Sequence, residues 1–279
     1  MKTLSMIKLA LREDIAKGDI TSKLIIPAKK RIKAVIIAKE GGVVCGLGAV
    51  RSAFEAVDKE VRFSAQVREG SRVARGKVLA RLEGRALSIL KAERVALNFL
   101  GRLSGIASLT AKFVQRARPY RVRIMDTRKT TPGLRILEKF AVRCGGGFNH
   151  RMGLWDQILI KDNHLHLLHQ KDLQEIVKKA RKKRPRGMKI ELEVKTLAQF
   201  KQALEARPDI IMLDNMSLKE INKAVAMRHK ARSRIPIEVS GGISLDNVRR
   251  IAACGVEMIS VGELTHSAKA LDVSLEVVE

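Results

Sequence analysis

The sequence predicts a mixed α/β protein whose second, larger part is a (β/α) barrel of parallel strands. After residue 117, short apolar runs alternate with segments of helical spacing, which is typical of parallel sheets covered on both faces. The first hundred residues instead alternate strand and turn signals. No GxGxxG motif occurs, so an open dinucleotide-binding sheet has little support. The length of 279 residues allows one large core or two domains.

Strands joined by glycine turns are predicted for the first part. The segment KAVIIAKEGGVVCG (33–46) predicts a strand, a Gly-Gly turn and a second strand, and residues 60–84 predict further strands. Residues 85–117 have the apolar spacing of a helix, with a break predicted near Gly105. We therefore expect one or two long helices that connect two domains.

Six apolar runs in the second part are predicted to form the parallel strands. They are RVRIMDT, QILIKDN, KIELEVK, IIMLDN, PIEVSGG and MISVGEL. In (β/α) barrels the chemistry lies at the carboxyl ends of the strands. Here those ends are Asp126–Lys129, Lys161–Asn163, Glu193–Lys195, Asp214–Asn215, Ser240–Gly242 and Gly262–Glu263. A core strand does not need charge at its end, so the coincidence across all six predicts a functional site there.

The formal net charge of +26 indicates an anionic partner. Nucleic acid is one class that fits, because its binding is dominated by phosphate neutralisation. A small polyanionic substrate drawn in by a positive field is the other. Only 3% of the residues are aromatic, which argues against a surface that stacks single-stranded bases. Nucleic acid is therefore the less favoured partner.

Targeting and cysteine patterns favour a cytoplasmic protein. Glu13 and Asp14 interrupt the N-terminus before a signal-peptide core forms, and no run approaches the length of a membrane span. The three cysteines, Cys45, Cys144 and Cys254, are far apart and form no CxxC pair. Their spacing predicts neither a disulfide framework nor a zinc site.

Basic residues near the first two strand ends predict a cationic pocket. Arg128, Lys129, Arg151 and Lys161 could together bind carboxylates or phosphates, and His150 adds a further donor. The alternative is that some of these side chains simply face solvent, which is the default for exposed lysine and arginine.

Acids and glycines follow at the later strand ends. Glu193 and Asp214 could hold Mg²⁺ beside substrate phosphates, or could form structural ion pairs with neighbouring bases, and the spacing leaves both open. Ser240-Gly241-Gly242 and Gly262 follow the last two strands, where backbone N–H groups commonly cradle phosphate in barrels.

Two further patterns have ordinary structural interpretations. His164, His166 and His169 lack the spacing of a metal site, and we expect a loop there. The run KKARKKRPR (178–186) could be a nucleic-acid patch, but basic residues also favour the C-terminal end of a helix. We prefer the helix end.

The stretch DTRKTTPGLRILEKFAVRCGGGFNHRMGL (126–154) resembles the signature of the quinolinate phosphoribosyltransferase family. Similarity extends along the chain through ALREDIAKGDITS (10–22), ERVALNFLGRLSGIAS (93–108) and the later motifs LIKDNH, IMLDN and IEVSGGI. The resemblance implies transfer of a phosphoribosyl group from phosphoribosyl pyrophosphate to quinolinate, with Mg²⁺ and with loss of CO₂, in the de novo synthesis of NAD. It also explains the basic stretch, because both substrates are polyanions.

The resemblance also implies an architecture. An N-terminal α/β sandwich domain with a linking helix is expected over residues 1–108 and an incomplete (β/α) barrel over residues 109–266. Residues 267–279 are expected to pack back on the first domain. A homodimer or hexamer is implied, in which Arg94 enters the site of the neighbouring subunit.

Residue roles carry over by position. The resemblance assigns quinolinate to Arg128, His150, Arg151 and Lys161, the phosphoribosyl substrate to Lys129, the ribose and metal to Glu193 and Asp214, and the 5′-phosphate to Ser240, Gly241, Gly242 and Gly262. Thr127 is expected to bind substrate as well. Lys129, Lys161, Glu193 and Asp214 are the expected catalytic residues. The family usually has an acidic or small residue where this chain has Lys195. A molybdenum-transport-linked paralogue and a basic nucleic-acid-binding protein remain the alternatives.

Overall fold

The computed structural model describes residues 2–168 and 172–278, which form two compact units. Unit 1 contains the described residues up to Ala111, Thr130–Gly146 and the described residues from Leu264 onward. Unit 2 contains Lys112–Lys129 and the described residues of Gly147–Glu263. Among the described residues, none of the helices combines the length and apolar character that a membrane crossing requires.

The secondary structure is mixed, as the sequence predicts. In chain order the elements are α1 (Lys2–Ile15), α2 (Ile20–Ile25), β1 (Arg31–Ala38), β2 (Gly42–Val43), α3 (Leu47–Val57), β3 (Arg62–Ala65), β4 (Arg72–Val73), β5 (Val78–Arg85), α4 (Ala86–Ala117), β6 (Arg123–Met125), α5 (Arg135–Cys144), β7 (Ile158–Ile160), α6 (Asp162–Leu167), α7 (Leu173–Lys183), β8 (Ile190–Val194), α8 (Leu197–Ala206), β9 (Ile210–Asp214), α9 (Leu218–Lys230), β10 (Ile237–Ser240), α10 (Val248–Ala252), β11 (Met258–Ser260), α11 (Glu263–His266) and β12 (Val273–Val278).

Unit 1 contains a four-stranded antiparallel sheet in the order β12-β1-β5-β3. The C-terminal strand β12 pairs with β1 from Lys33↔Val278 to Ala38↔Val273. Apolar residues of β1 such as Ala34 and Ile36 are fully or almost fully buried. Burial of these side chains on a central strand provides the hydrophobic stabilisation of this sheet.

The two strands predicted over residues 33–46 form, but they do not pair with each other. Strand β1 pairs with β5 and β12, whereas β2 pairs with β4. Gly42 allows close packing, because a Cβ there would lie 2.6 Å from both Leu271 Cδ1 and Ser108 Oγ. Glycine is required there because the backbone approaches its neighbours too closely for a side chain.

Helix α4 is one long helix that continues through Gly105, so the predicted break there is wrong. A Cβ at this position would lie 2.0 Å from the carbonyl oxygen of Lys269. The glycine therefore marks the point where the C-terminal segment crosses the helix rather than a point where the helix ends. Glycine within a helix costs stability relative to alanine, and this contact explains why it is present.

Helix α5 belongs to unit 1, although the sequence placed it in the barrel domain. The buried carboxylate of Glu138 anchors the preceding loop, because it accepts hydrogen bonds from Thr131 N–H at 3.0 Å and from Arg102 Nη2 at 2.8 Å. After the helix, a Cβ on Gly145 would lie 2.4 Å from Ala107 O, and Gly146 adopts a φ of 85°. Gly145 thus allows close packing, and Gly146 allows a left-handed turn.

Unit 2 contains a parallel sheet of six strands among the described residues, in the order β6-β11-β10-β9-β8-β7. Helices α7, α8 and α9 connect successive strands, as the βα repetition predicts. Strands β6 and β7 lie at the two edges, and no pairing between them occurs in the described ranges. The predicted incomplete barrel is therefore confirmed.

The predictions for the histidine segment 164–169 and for the basic run 178–186 differ in their outcome. His164 and His166 lie in the short helix α6 instead of the predicted loop, and His169 lies outside the described residues. Lys182 and Lys183 end helix α7, as predicted for residues 178–186. Their position at a helix C-terminus is electrostatically favourable.

Candidate active site

The predicted functional residues of unit 2 follow the carboxyl ends of its parallel strands. Because parallel strands present these ends at one edge of a sheet, the residues share that edge. Thr127, Arg128 and Lys129 follow β6, Lys161 follows β7, Glu193 lies near the end of β8, Asp214 ends β9, Ser240 ends β10 before Gly241 and Gly242, and Gly262 follows β11. His150 and Arg151 lie in the loop that precedes β7.

A buried aspartate holds this loop against β6. Phe148 bridges to Met125 in parallel, which brings the loop alongside the strand. The fully buried carboxylate of Asp126 accepts hydrogen bonds from His150 N–H at 2.9 Å and from Asn149 Nδ2 at 2.5 Å. A buried carboxylate must be satisfied by donors, so this contact fixes the backbone that carries Arg151.

Two guanidinium groups lie close enough to repel each other. Burial lowers the pKa of Arg151 and the nearby charge of Arg128 lowers it further, whereas the charges of three neighbouring acids raise it. An arginine does not lose its proton under ordinary conditions, so the repulsion from Arg128 is an electrostatic cost that these acids oppose. An anion placed between the two groups would relieve it, and the fork of each guanidinium matches a carboxylate.

Lys161 forms an ion pair with a buried acid. Its Nζ lies 2.7 Å from Glu193 Oε2, with the lysine side chain 42% exposed and the glutamate side chain 6% exposed. The lysine follows β7 and the glutamate lies on the adjacent strand β8, so the sheet itself brings the two together. The structure therefore contains the ion pair that sequence spacing left open for Glu193.

Lys195 has a different partner. Its Nζ lies 2.5 Å from Asp162 Oδ2, and both side chains are about half exposed. The hydrogen bond to Asp162 raises the pKa of Lys195. Lys161 and Lys195 are thus similar lysines at neighbouring strand ends, one paired with a buried carboxylate and the other with an exposed one.

The ends of β9 and β10 are tied together by a strained turn. Asn215 has a φ of 55°, and its backbone N–H donates to Ser240 O at 2.9 Å. Its side chain donates to Asp214 Oδ2 at 3.0 Å. A Cβ on Gly241 would lie 2.3 Å from Asn215 Oδ1, and Gly241 has a φ of 89°. Glycine is therefore required at 241 whatever ligand the turn contacts.

His150 is the centre of a buried cluster of acids. Its Nε2 lies 3.1 Å from Glu191 Oε2 and 3.4 Å from Glu238 Oε1. Gln157 Nε2 donates to Glu191 Oε2 at 2.7 Å, and Ser260 Oγ donates to Glu238. The other ring nitrogen, Nδ1, accepts the backbone N–H of Arg151 at 2.7 Å. Both ring nitrogens are thus engaged within the protein.

The cluster holds protons tightly. Burial and the neighbouring carboxylate of Glu238 raise the pKa of Glu191 to about 7. Burial alone would lower the pKa of His150, but the contacts with Glu191 and Glu238 raise it to about 10. Two buried carboxylates in contact do not both ionise readily, and a neighbouring imidazole shares the proton with them.

Two arrangements of these protons are chemically possible above neutral pH. In one, an imidazolium faces two carboxylates; in the other, a neutral imidazole with its hydrogen on Nε2 faces a carboxylate and a carboxylic acid. Both contain the same number of protons and have a net charge of −1. An imidazolium carries a hydrogen on Nδ1 and cannot accept there, so the N–H of Arg151 favours the second arrangement.

Sequence reasoning missed the acids of this cluster. Glu191 is 0% exposed and Glu238 is 1% exposed, although both lie within apolar strands. An acid inside a buried parallel strand was the available signal, in KIELEVK and in PIEVSGG. Alternate residues of a strand share a face, so Glu191 lies on the same face as the predicted residue Glu193.

Arg94 lies apart from these residues in the chain and belongs to unit 1. It is an exposed residue of helix α4. Its contact with a neighbouring subunit stays a prediction.

The acids at the ends of β8 and β9 have the oxygen donors that Mg²⁺ prefers. The ammonium group of Lys161 contacts Oε2 of Glu193, which opposes direct contact of a cation with that oxygen. Asp214 is at the strand end and only partly buried. The residues therefore fit Mg²⁺, which Asp214 and Glu193 would hold, with Asp214 the more accessible of the two.

Comparisons with known proteins agree over nearly the whole chain. Residues 19–104 match the family model of the quinolinate phosphoribosyl transferase N-terminal domain, and residues 106–276 match that of its C-terminal domain. A Bacillus subtilis (strain 168) protein named probable nicotinate-nucleotide pyrophosphorylase (carboxylating) is 41% identical over 268 residues, covering 95% of this chain and 90% of its own length.

A relative and a solved structure from other organisms extend this similarity. The Methanocaldococcus jannaschii protein of the same name is 42% identical over 281 residues, covering 99% of this chain and 97% of its own. The structure of the nicotinate-nucleotide pyrophosphorylase from Francisella tularensis superposes with a TM-score of 0.92 at 39% identity, covering 99% of this chain and 96% of that one.

Proposed function

The chain belongs to the quinolinate phosphoribosyltransferase family, and we propose that it converts quinolinate and phosphoribosyl pyrophosphate into nicotinate mononucleotide, pyrophosphate and CO₂. This is a reaction of de novo NAD synthesis. The observation that carries the proposal is the crowding of Arg128 and Arg151 at the strand ends, which an anion would relieve. Quinolinate has two carboxylates, and two guanidinium forks can hold a dianion.

The bases of the site have separate binding roles. Arg128 and Arg151 bind the carboxylates of quinolinate, and Lys161 supplies a further positive charge from the end of β7. His150 supports Arg151 through the hydrogen bond at Nδ1, and Asp126 fixes the loop from below. Direct contact between His150 and the substrate stays a prediction, because its ring is engaged on both sides.

The reaction needs no nucleophile from the protein. The ring nitrogen of quinolinate attacks C1′ of phosphoribosyl pyrophosphate, and the C1′–oxygen bond breaks with both electrons leaving on pyrophosphate. The bond from C2 to its carboxylate then breaks, CO₂ leaves, and the electron pair retained at C2 takes up a proton. Basic residues at the strand ends, including Lys129, stabilise the charge of the departing group.

The phosphates are assigned to the later strand ends. Ser240, Gly241, Gly242 and Gly262 would hold the 5′-phosphate through backbone N–H groups and a hydroxyl. Asp214 and Glu193 would hold Mg²⁺ and face the ribose, and Thr127 would bind substrate from the end of β6. When bound, the metal neutralises part of the pyrophosphate charge.

Assembly and location belong to the same proposal. We expect a homo-oligomer, a dimer or a hexamer, in which Arg94 completes the site of a neighbouring subunit. Exposed apolar side chains support an interface, since Leu154 is 74% exposed and Trp155 is 72% exposed. Large exposed apolar side chains often mark contact surfaces. A cytoplasmic location stays a prediction.

Release of labelled CO₂ from quinolinate labelled in its 2-carboxylate tests the activity. We expect release that depends on phosphoribosyl pyrophosphate and on Mg²⁺. Nicotinate is the matched control substrate, because it lacks only the 2-carboxylate, and it should be used poorly. Equal formation of nicotinate mononucleotide from both acids, or no release from quinolinate, would contradict the proposal.

A further inference from the structure

Three metal-ligand atoms converge in unit 1, outside the strand-end site. One sulfur each from Cys45 and Cys144 and a carboxylate oxygen of Glu69 all lie within 4.8 Å of one another. Cys45 follows β2, Glu69 precedes β4 and Cys144 is the last residue of α5. The cysteine spacing predicted no such site, because the three residues are brought together only by the fold.

The backbone around Cys45 and Cys144 is fixed before any ligand binds. Cys45 N–H donates to Ser104 Oγ at 2.9 Å, and this hydroxyl donates back to Cys45 O at 3.1 Å. At the other sulfur, Gly145 lets the end of α5 approach α4, since a Cβ there would lie 2.4 Å from Ala107 O. Donor atoms held on rigid backbone are a requirement for a precise metal site.

Glu69 is held by the first turn of helix α3. Its Oε2 accepts Gly46 N–H at 2.8 Å and its Oε1 accepts Gly48 N–H at 3.2 Å. A carboxylate oxygen has two lone pairs, so each can accept an N–H group and still bind a cation. The helix contacts therefore orient the carboxylate without using all of its capacity.

The two sulfurs and the carboxylate oxygen are close neighbours, since all three donor atoms lie within 4.8 Å of one another. A cation of the zinc class binds cysteine as the thiolate, so its binding here would release protons from the thiols. The negative charge of Glu69 beside the two sulfurs would favour a cation at this position.

We propose that Cys45, Glu69 and Cys144 form a binding site for one thiophilic divalent cation of the Zn²⁺ class. Sulfur donors select soft or borderline cations over Mg²⁺. With Zn–S near 2.3 Å and Zn–O near 2.1 Å, the ligand atoms around one ion lie roughly 3.5 to 4 Å apart. Only a small contraction of the observed cluster is needed. Three protein donors leave a fourth position for water.

This site is independent of the proposed reaction. It uses none of the residues assigned to either substrate, and its three residues belong to unit 1. Its expected role is structural, because the ion would link the start of α3, the turn before β4 and the end of α5. A ligand that binds only the folded state raises stability.

Titration of the full-length reduced chain with Cd²⁺, a spectroscopic substitute for Zn²⁺, tests the proposal. We expect an ultraviolet sulfur-to-metal band that saturates at one ion per chain. Cys45→Ser and Cys144→Ser should each remove the band, and Glu69→Gln should weaken binding roughly tenfold or more. Cys254→Ser is the matched control, because Cys254 lies in unit 2, and it should leave the titration unchanged.

A second measurement avoids variants that fail to fold. In the unaltered chain, Zn²⁺ should protect Cys45 and Cys144 from alkylation while Cys254 stays reactive, as read by mass spectrometry. Absence of protection, or a Cd²⁺ band that persists without Cys45, would overturn the site. Loss of two thiols under mild peroxide with no metal binding would show instead that the pair is a disulfide-forming couple.

Discussion

Replacing Glu191 with glutamine tests the proton arrangement beneath His150. Glutamine has the shape of a protonated glutamic acid and offers a donor in the same place, but it does not titrate. If the extra proton of the cluster lies between Glu191 and Glu238, the Glu191→Gln chain already has the protonated form. If the proton instead makes His150 a cation, the variant loses one of the two carboxylates that stabilise it.

The sign of the pH dependence follows from the two raised pKa values. Glu191 shifts from 4.5 to about 7 and His150 from 6.5 to about 10, so the folded chain binds more protons than the unfolded chain between about pH 4.5 and 10. The stability of the wild-type chain therefore falls as pH rises through this window. One proton corresponds to about 1.4 kcal/mol per pH unit, or on the order of 2 to 3 kcal/mol from pH 7 to 9.

Urea unfolding at pH 7 and at pH 9, followed by circular dichroism, measures the effect. We expect the wild-type stability to fall over this range, the Glu191→Gln slope to be close to flat, and the variant to be the more stable chain at pH 9. Glu55→Gln, a change at an exposed helix residue, is the control and should keep the wild-type slope. A variant that is destabilised at both pH values and keeps the slope would refute the shared carboxyl proton and assign the charge to His150.

The remaining predictions concern the strand-end site and the surface. Lys161→Met should lower kcat/KM for quinolinate roughly ten- to hundredfold, because it removes a charged contact and leaves a buried carboxylate unpaired. The matched change Lys195→Met should lower kcat/KM less than about threefold, since its partner Asp162 is exposed. A larger loss in Lys195→Met than in Lys161→Met would show that the pocket has been placed wrongly. Mixing Arg94→Ala chains with Arg151→Ala chains should restore part of the activity if sites are shared, and no recovery despite proven mixing counts against sharing. Neutralising Lys178 and Lys179 should change the KM for quinolinate by less than about threefold at physiological salt, because exposed charges are screened beyond roughly 8 Å. A tenfold increase in KM would show that the basic segment 178–186 has a function.

Local sequence signals predicted strands in both units but did not predict how the strands of the first unit pair. The six parallel strands were predictable because each is a short apolar run bounded by polar residues, and strand pairing between neighbours follows from βα repetition. In unit 1 the sheet pairs β1 with β12, a partner more than 230 residues away along the chain. No local pattern predicts such a pairing. Gly42 was interpreted as part of a turn and Gly105 as a helix break, although both allow a close approach of the backbone to its neighbours.

The sequence predicted the exposed residues of the site and missed the buried ones. Bases at strand ends are visible in the sequence because a core strand has no need of them. Glu191 and Glu238 lie inside their strands, and only the fold places both against His150. Cys45 and Cys144 became neighbours for the same reason. Contacts between distant segments depend on the packing of whole elements, which composition and spacing do not encode.

Buried acids of unit 2 explain how a strongly basic chain holds its cationic residues in place. Asp126 accepts the backbone N–H of His150 in the loop that carries Arg151, and Glu193 pairs with Lys161. These acids hold the bases in place while the substrate is absent. In the proposed reaction, a carboxylate of quinolinate would compete with Glu193 for Lys161, and the exchange would free Glu193 for the ribose and the metal that it is proposed to hold. The Lys161–Glu193 ion pair would then couple the binding of quinolinate to the binding of phosphoribosyl pyrophosphate.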